Sequence, residues 1–347
     1  MSRKGAKRNS SVRMRNPELD LTKMVAIYLV VVGHLFHEAG YTAAGINMSH
    51  MPALFFLSGY LAFSSVRKHS KRELFKRKVH SLAVPYLIWS TVSFGANLML
   101  ALLQGHVDIQ SATAEFVEIY FHARSVWFLL QLFAAFCVLL GCQYLSQHWK
   151  WNQLLVNGAV YMVLIWLLPN KLFDFSKLKW LYPFFLGGYL VAENKDKVQS
   201  CKYRRVLSTA SLLYPIGIQF LVMPDEFTQY TTFTYKDLLA AVVGAGYYLL
   251  SALGIVLIFT IARLISRTKI SGFLAEIGTY SLDIYVVHMF CIKLFPMAAL
   301  LQGKSAVLVK GSLLVYAAVI VLGVFIAAKY LLRKMKLYCI AVGKGPA

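Results

Sequence analysis

Lys23 and His34 lie in one long apolar stretch, residues 19–36, with the sequence LDLTKMVAIYLVVVGHLF. The two are eleven residues apart. In an α-helix this separation is three turns, so both side chains lie on one face, about 16 Å apart along the axis. Asp20 falls close to the same stripe. Histidine can take up and release a proton near neutral pH. Because a polar stripe is costly against lipid, we expect it to line a cavity or to pair with other helices.

These residues also have plainer interpretations, which the sequence leaves open. Lys23 could be a lysine that extends to the membrane boundary, and His34 could be a packing or hydrogen-bonding histidine. His37 and Glu38 fit the loop that follows the stretch better than they fit a site.

A second histidine has a similar setting in the stretch GTYSLDIYVVHMF. There, Ser281, Tyr285 and His288 follow each other at helical i, i+4 and i+7 spacing, which places them on one face. Ser58 lies in MPALFFLSGYLAF, and Trp127 lies in SVWFLLQLF. Packing inside a helical bundle would explain each of them equally well.

A dense basic cluster lies in KRELFKRKVHSLAVPYLIW and contains Arg72, Lys76, Arg77 and Lys78. Basic residues next to a membrane segment most simply fix its orientation. Arginine and lysine also bind phosphate groups well, so the cluster could be a phosphate site that faces the cytosol.

The composition indicates the elements that must hold these residues. Of 347 residues, 58% are hydrophobic and 15% are charged, whereas soluble domains have roughly 45–50% and 25%. A helix needs about 20 apolar residues to cross a bilayer. The sequence therefore predicts an all-α, polytopic integral membrane protein with about ten transmembrane helices. Their predicted bounds are 19–36, 48–66, 80–103, 126–145, 153–169, 180–192, 206–223, 237–262, 280–300 and 308–331.

The distribution of lysine and arginine predicts the orientation. With the N-terminus in the cytoplasm, the cytoplasmic segments hold 26 of these residues and the outside loops hold 7. This bias predicts that both termini are cytoplasmic. It also explains the net charge of +21 without a nucleic-acid partner. We expect a basic segment at 1–18, a membrane domain at 19–331 and a cytoplasmic tail at 332–347.

Several function classes lack their usual signatures. The first apolar stretch has no small-residue cleavage site, so we interpret it as a retained span and not as a signal peptide. None of the five cysteines falls in a predicted outside loop, and no Cys/His spacing suggests a metal site. The sequence has no GxxxxGK[ST] phosphate-binding loop, which argues against an ATP-driven pump.

Five stretches, in order from residue 19 to residue 288, make the chain similar to the acyltransferase type 3 family of ten-helix membrane enzymes, which O-acylate cell-surface glycans. They are LDLTKMVAIYLVVVGH, MPALFFLSGYL, FKRKVHSLAVPYLIW, SVWFLLQLF and YSLDIYVVH. The first fits the family's pattern of a basic residue, ten residues and a histidine. The chain departs from the family at Lys23 and at Arg77–Lys78, where arginine is more frequent. Lysine keeps the charge but not the bidentate geometry.

The resemblance implies an activity at the bacterial cell membrane. An acyl group, most often acetyl from cytosolic acetyl-CoA, would reach a sugar hydroxyl of a glycan or lipid-linked saccharide at the outer face. Acetyl-CoA would be a co-substrate, with no permanently bound cofactor and no metal. The identity of the acceptor glycan and of the acyl chain stays open.

The same resemblance implies roles for single residues. His34 would act as a general base or would carry the acyl group itself, and Lys23 would position the site. The phosphates of acyl-CoA would be held by Arg72, Arg77 and Lys78. The site would be lined by Asp20, Ser58, Trp127, Tyr285 and His288.

Three other classes compete with this interpretation. A secondary transporter usually shows two related halves, and the sequence has no matching pair of broken segments. A glycan flippase would share the glycan but would need no CoA. A purely structural membrane protein would not need the polar stripe. Consumption of acyl-CoA would distinguish a transferase from all three.

Overall fold

The computed structural model describes residues 16–41, 43–105, 108–200, 202, 204–220 and 238–343, and this part of the chain is helical, without β-strands. The first half forms α1 (Pro17–Glu38), α2 (Ala44–Lys68), α3 (Lys71–Lys78), α4 (Val84–Leu103), α5 (Ile109–Tyr120), α6 (Trp127–Trp149) and α7 (Gln153–Leu167). The second half forms α8 (Phe175–Glu193), α9 (Lys195–Gln199), α10 (Arg204–Ala210), α11 (Tyr214–Phe220), α12 (Leu238–Ile265), α13 (Ser271–Gly278), α14 (Ser281–Leu294), α15 (Met297–Leu300), α16 (Ala306–Tyr330) and α17 (Lys336–Ala341).

Six described helical segments are long and apolar enough to cross a membrane. They are Pro17–Glu38, Lys71–Leu103, Trp127–Trp149, Gly244–Ile265, Ser281–Leu300 and Ala306–Lys334. The other predicted spans, 48–66, 153–169, 180–192 and 206–223, fall on helices that are shorter or less apolar, and 221–223 lie outside the described residues. The all-helical membrane fold is confirmed, whereas the count of ten spans and the cytoplasmic termini stay predictions.

Helix α1 occupies the centre of the bundle and contacts α2, α12, α13, α14 and α16. Its start is fixed locally, because Asn16 Oδ1 accepts a hydrogen bond from the Glu18 N–H at 3.0 Å. Pro17 occupies the first turn, where a missing N–H costs nothing. The N-terminal turn of α1 is therefore well defined just before the polar stripe.

Helices α2 and α8 pack against each other more extensively than any other described pair. Two glycines make this possible, since a Cβ on Gly59 would run into the Phe185 carbonyl, and one on Gly188 into the Phe56 carbonyl. The two backbones are thus in direct contact. In the same way, Gly278 of α13 lies against the Asp20 carbonyl of α1.

Helices α3 and α4 are joined without interruption by a π-helical turn, Val79–Ala83. Pro85 follows in the first turn of α4 and has no N–H to donate, which favours the wider turn before it. The segment after α16 lies against this turn: Trp89 Nε1 donates to the Ala341 carbonyl at 2.8 Å, and Gly343 abuts Ser81.

Helix α5 differs from the sequence-based expectation. The predicted loop 104–125 contains helix α5, whose N-cap Asp108 accepts a hydrogen bond from the Ser111 N–H at 2.6 Å. Helix α12 continues without a break through Gly244 and Gly246, although glycines inside a helix can interrupt it. A glycine inside a helix lowers its stability by roughly 1 kcal/mol, which packing along 28 residues outweighs.

Candidate active site

Three histidines from three helices meet at one end of the bundle. His34 of α1 is half-buried, and its ring centroid lies 5.2 Å from that of His288 on α14. His50 of α2 is buried and lies within electrostatic range of both rings. Helices α1 and α2 are close here, since a Cβ on Gly33 would be in ordinary contact with His50 Cε1 at 3.7 Å and in tight contact with Asn47 Oδ1 at 3.2 Å.

The backbone of α14 fixes the orientation of the His288 ring. Nδ1 lies 2.7 Å from the Tyr285 carbonyl and 3.1 Å from the Ile284 carbonyl. A carbonyl only accepts, so Nδ1 carries the proton and Nε2 keeps its lone pair. Nε2 is buried and has no hydrogen-bond partner in the described part of the chain. His288 therefore presents a bare acceptor next to His34.

Sequence reasoning did not single out His50. Its side chain is 3% exposed, and no described residue is a hydrogen-bond partner of its Nδ1. The Ile46 carbonyl is near the ring but lacks hydrogen-bond geometry with Nδ1, and it accepts instead from Ser49 Oγ at 2.8 Å. A buried polar atom without a partner costs free energy. The sequence feature that could have indicated His50 is its position directly before the stretch MPALFFLSGYL.

Tyr285 connects this cluster to the start of α6. Its hydroxyl accepts a hydrogen bond from the Phe128 N–H at 3.2 Å, and its ring lies 6.1 Å from that of His288. Trp127 precedes Phe128 in the sequence. The Nζ atom of Lys177 on α8 lies 4.4 Å from the centre of the Trp127 indole ring. Both Lys177 and His37 are near enough to act electrostatically on His34. The structure thus brings Trp127, Tyr285 and His288 to the end of the bundle that holds His34.

Lys23 and Asp20 lie at the other end of α1. Lys23 Nζ pairs with Asp20 Oδ1 at 3.0 Å, and the side chains are 23% and 6% exposed. The sequence placed both residues on the His34 face but did not predict this ion pair. Lys23 does not contact His34, so only a ligand that extends along α1 would reach both residues.

Ser58 is engaged within its own helix, because its hydroxyl donates to the Leu54 carbonyl at 2.7 Å. This bond stabilises α2 locally and occupies the Ser58 proton. The structure thus places Ser58 two turns from His50 along α2 and gives its hydroxyl a partner outside the histidine cluster.

The three basic residues predicted to bind acyl-CoA face in different directions. Arg77 is exposed and pairs with Glu73 at 2.7 Å. Lys78 turns into the bundle, where its Nζ lies 3.9 Å from the centre of the Phe136 ring. Arg72 is exposed on α3. The structure therefore does not bring them together as one cluster.

The amino-acid sequence matches the family model described as an acyltransferase domain over residues 16–331. The chain belongs to the acyltransferase type 3 family. The family model describes an acyltransferase domain, and six described helical segments of the chain are long and apolar enough to cross a membrane. Acyl transfer to a nucleophile requires a group that accepts a proton or carries the acyl chain, and histidine side chains can do either.

Curated relatives match the chain over only part of its length. Nodulation protein NolL of Sinorhizobium fredii is 28% identical over 201 residues, which are 53% of this chain and 50% of that protein. NolL of Mesorhizobium japonicum is 22% identical over 301 residues, 79% of this chain and 76% of that protein. A "Probable poly-beta-1,6-N-acetyl-D-glucosamine export protein" of Staphylococcus epidermidis is 26% identical over 171 residues, 49% of this chain and 43% of that protein. The chain thus spans about half the length of the first of these relatives. No solved structure matches the sequence.

Proposed function

We propose that this acyltransferase moves an acyl group, foremost acetyl, from cytosolic acetyl-CoA to a sugar hydroxyl of a cell-surface or exported glycan. The observation that carries the proposal is the packing of the half-buried His34 against His288, whose Nε2 has a free lone pair. The name of the staphylococcal relative, which refers to a poly-N-acetylglucosamine, supports a glycan acceptor. The protein would work in the bacterial cell membrane.

The chemistry at His34 follows from its half-buried imidazole. As a general base it takes the proton of the acceptor hydroxyl while the oxygen attacks the thioester carbonyl. A C–O bond forms, the C–S bond breaks, and the CoA thiolate leaves and takes up a proton. Alternatively, His34 attacks the thioester first and then passes the acyl group to the sugar oxygen. In both routes His288 holds the ring of His34 by packing against it.

The opposite end of α1 would face the donor. Lys23, held by Asp20, supplies a positive charge along the path of acyl-CoA. The exposed Arg72 and Arg77 are available to phosphate groups, which compete well with the exposed Glu73 carboxylate for Arg77. Lys78 would contribute from inside the bundle. Acyl-CoA enters and leaves as a co-substrate.

A second candidate function is glycan export without acyl transfer, which the name of the staphylococcal relative favours. The two functions separate in one experiment. Purified protein is incubated with radiolabelled acetyl-CoA and the glycan fraction of cells that lack the gene. We expect free CoA and label in the glycan, with new O-acetyl signals by NMR. Intact acetyl-CoA and an unlabelled glycan would reject acyl transfer and leave export as the better explanation.

A further inference from the structure

Two loops meet beside the histidine cluster and contain unusual backbone. We call them the rim, residues 121–126 and 172–174. The Phe173 N–H donates to the Phe121 carbonyl at 2.6 Å, which joins the two loops. Ala123, Phe173 and Asp174 have φ values of 52°, 51° and 53°. Residues other than glycine rarely adopt this left-handed conformation, and such strain concentrates where a site needs a particular geometry.

A buried glutamine holds the rim in this conformation. Gln131 of α6 is 0% exposed, and its Nε2 donates to the carbonyls of Phe173 and Asp174, at 2.5 Å and 3.2 Å. Its Oε1 is buried and has no partner among the described residues. A solvent-inaccessible amide with one unsatisfied atom is costly. The fold therefore tolerates both the strained turn and the buried amide.

The turn places Lys177 next to Trp127. The Asp174 carboxylate accepts a hydrogen bond from Ser176 Oγ at 2.7 Å and pairs with Lys177. Lys177 Nζ then lies 4.4 Å from the centre of the Trp127 ring and within electrostatic range of His34.

The next lysine of α8 has a different role. Lys179 is buried, and its Nζ donates to the Leu168 carbonyl and to Asn170 Oδ1, both at 2.7 Å. These bonds support the fold of the loop before α8. Lys177, by contrast, is partly exposed, and its partners Asp174 and Trp127 are side chains near the histidine cluster. Lys179 is therefore a structural cation, whereas Lys177 can be reached by a ligand.

We propose that Lys177, Asp174 and Trp127 form the acceptor subsite and bind an uncharged sugar ring whose hydroxyl reaches His34. The inference rests on the proposed function and adds the place and the charge preference of the acceptor. Lys177 lies over one face of the Trp127 indole, and the half-buried ring adds an apolar surface for the C–H face of a sugar and a polar N–H end. The ammonium and the carboxylate give a hydrogen-bond donor and an acceptor to neighbouring hydroxyls. Because the two charges cancel, the subsite favours a neutral sugar over an anionic one.

The test measures initial rates with purified protein, radiolabelled acetyl-CoA and the glycan fraction from cells that lack the gene. Lys177→Gln should raise the KM for the glycan roughly tenfold or more, since a charge-assisted hydrogen bond is lost. The KM for acetyl-CoA should stay unchanged. Lys171→Gln is the matched control, because it removes the same charge from an exposed position six residues earlier and should leave both KM values unchanged.

Two further variants keep the inference testable if Lys177→Gln fails to insert. Asp174→Asn and Trp127→Ala should each raise the glycan KM without changing the acetyl-CoA KM. A glycan KM equal to that of Lys171→Gln in the inserted variants would overturn the subsite. If the wild-type protein forms no ester, the proposed function itself fails, whereas active wild type with unaffected variants removes only the subsite.

Discussion

The ring of His288 lies 5.2 Å from the ring of His34, although the two residues belong to different helices and are far apart in the sequence. Its Nδ1 proton is held by backbone carbonyls of α14, so its orientation does not depend on His34. His34 is the more accessible of the two rings. We therefore assign the direct chemistry to His34 and a supporting role to His288.

His34→Gln should remove most acyl transfer while the protein inserts normally. Glutamine keeps a hydrogen-bonding side chain of similar size but cannot accept a proton near neutral pH, and loss of a general base lowers rates roughly 10²–10⁴-fold. The measurement is glycan O-acylation in cells at matched protein level. His37→Gln, at the exposed end of α1, is the control and should be mild. A His34→Gln protein with normal activity would contradict the mechanism.

His50→Phe should lower activity with little change in stability. Phenylalanine removes a buried nitrogen without a partner, which favours folding, but its ring is larger than imidazole and must fit a packed site, so the two effects oppose each other and the free energy of unfolding should change by less than about 2 kcal/mol. Thermal unfolding in detergent and acyl transfer are measured on the same sample. A variant that loses stability and activity together would indicate that His50 only packs.

Lys23→Arg should keep much of the activity, and Lys23→Ala should lose it. Arginine keeps the charge and can still pair with Asp20, which Lys23 contacts at 3.0 Å. Because Asp20 is buried, Lys23→Ala leaves its carboxylate with one partner fewer and should lower thermal stability, whereas Lys23→Arg should not. Activity per amount of folded protein that tracks the charge supports a positioning role, and an active alanine variant would assign Lys23 to the membrane boundary.

Arg77→Gln combined with Lys78→Gln should raise the KM for acetyl-CoA roughly tenfold or more, through loss of charge-assisted hydrogen bonds to phosphate. The two single variants should have different effects on protein stability, because Arg77 is exposed and Lys78 packs on Phe136. We expect Arg77→Gln to change only the KM, and Lys78→Gln to lower stability as well. Unchanged donor kinetics in the double variant would leave both residues with a topological role alone.

Gly59→Ala should prevent normal folding, because its methyl group would overlap the Phe185 carbonyl oxygen of α8. The helices would have to separate, and overpacking of this kind costs 1–3 kcal/mol or more. Gly246→Ala is the matched control, since open space surrounds that position. Alanine there should hold stability level or raise it by up to about 1 kcal/mol. Equal yields of folded protein from both variants would disprove the backbone contact.

The sequence predicted the long helices well because the signal is local: a run of apolar residues reports both helix length and burial in a membrane. Helix α8 begins at Phe175, earlier than the predicted span 180–192. The prediction started late because Lys177 and Lys179 interrupt the apolar run. The fold compensates for Lys179 with carbonyl partners from the preceding loop, which no local pattern reveals. Helix α5 was missed because it is short and amphipathic.

The site was predictable only where helical spacing reports a shared face. Lys23 with His34, and Tyr285 with His288, follow that rule. The meeting of α1, α2 and α14 depends on tertiary packing, so no local pattern in the sequence points to His50. In the sequence, Lys177 is only one of the charges in a predicted outside loop. The position of its side chain depends on the strained turn, which Gln131 holds.

The direct backbone contact between α2 and α8 has a consequence for motion. Two helices that touch through Gly59 and Gly188 cannot slide or separate without breaking many contacts, so they move as one rigid body. This body carries His50 and Lys177, whereas His34 and His288 belong to α1 and α14. A conformational change that admits a bulky acceptor must therefore separate His50 and Lys177 on one side from His34 and His288 on the other.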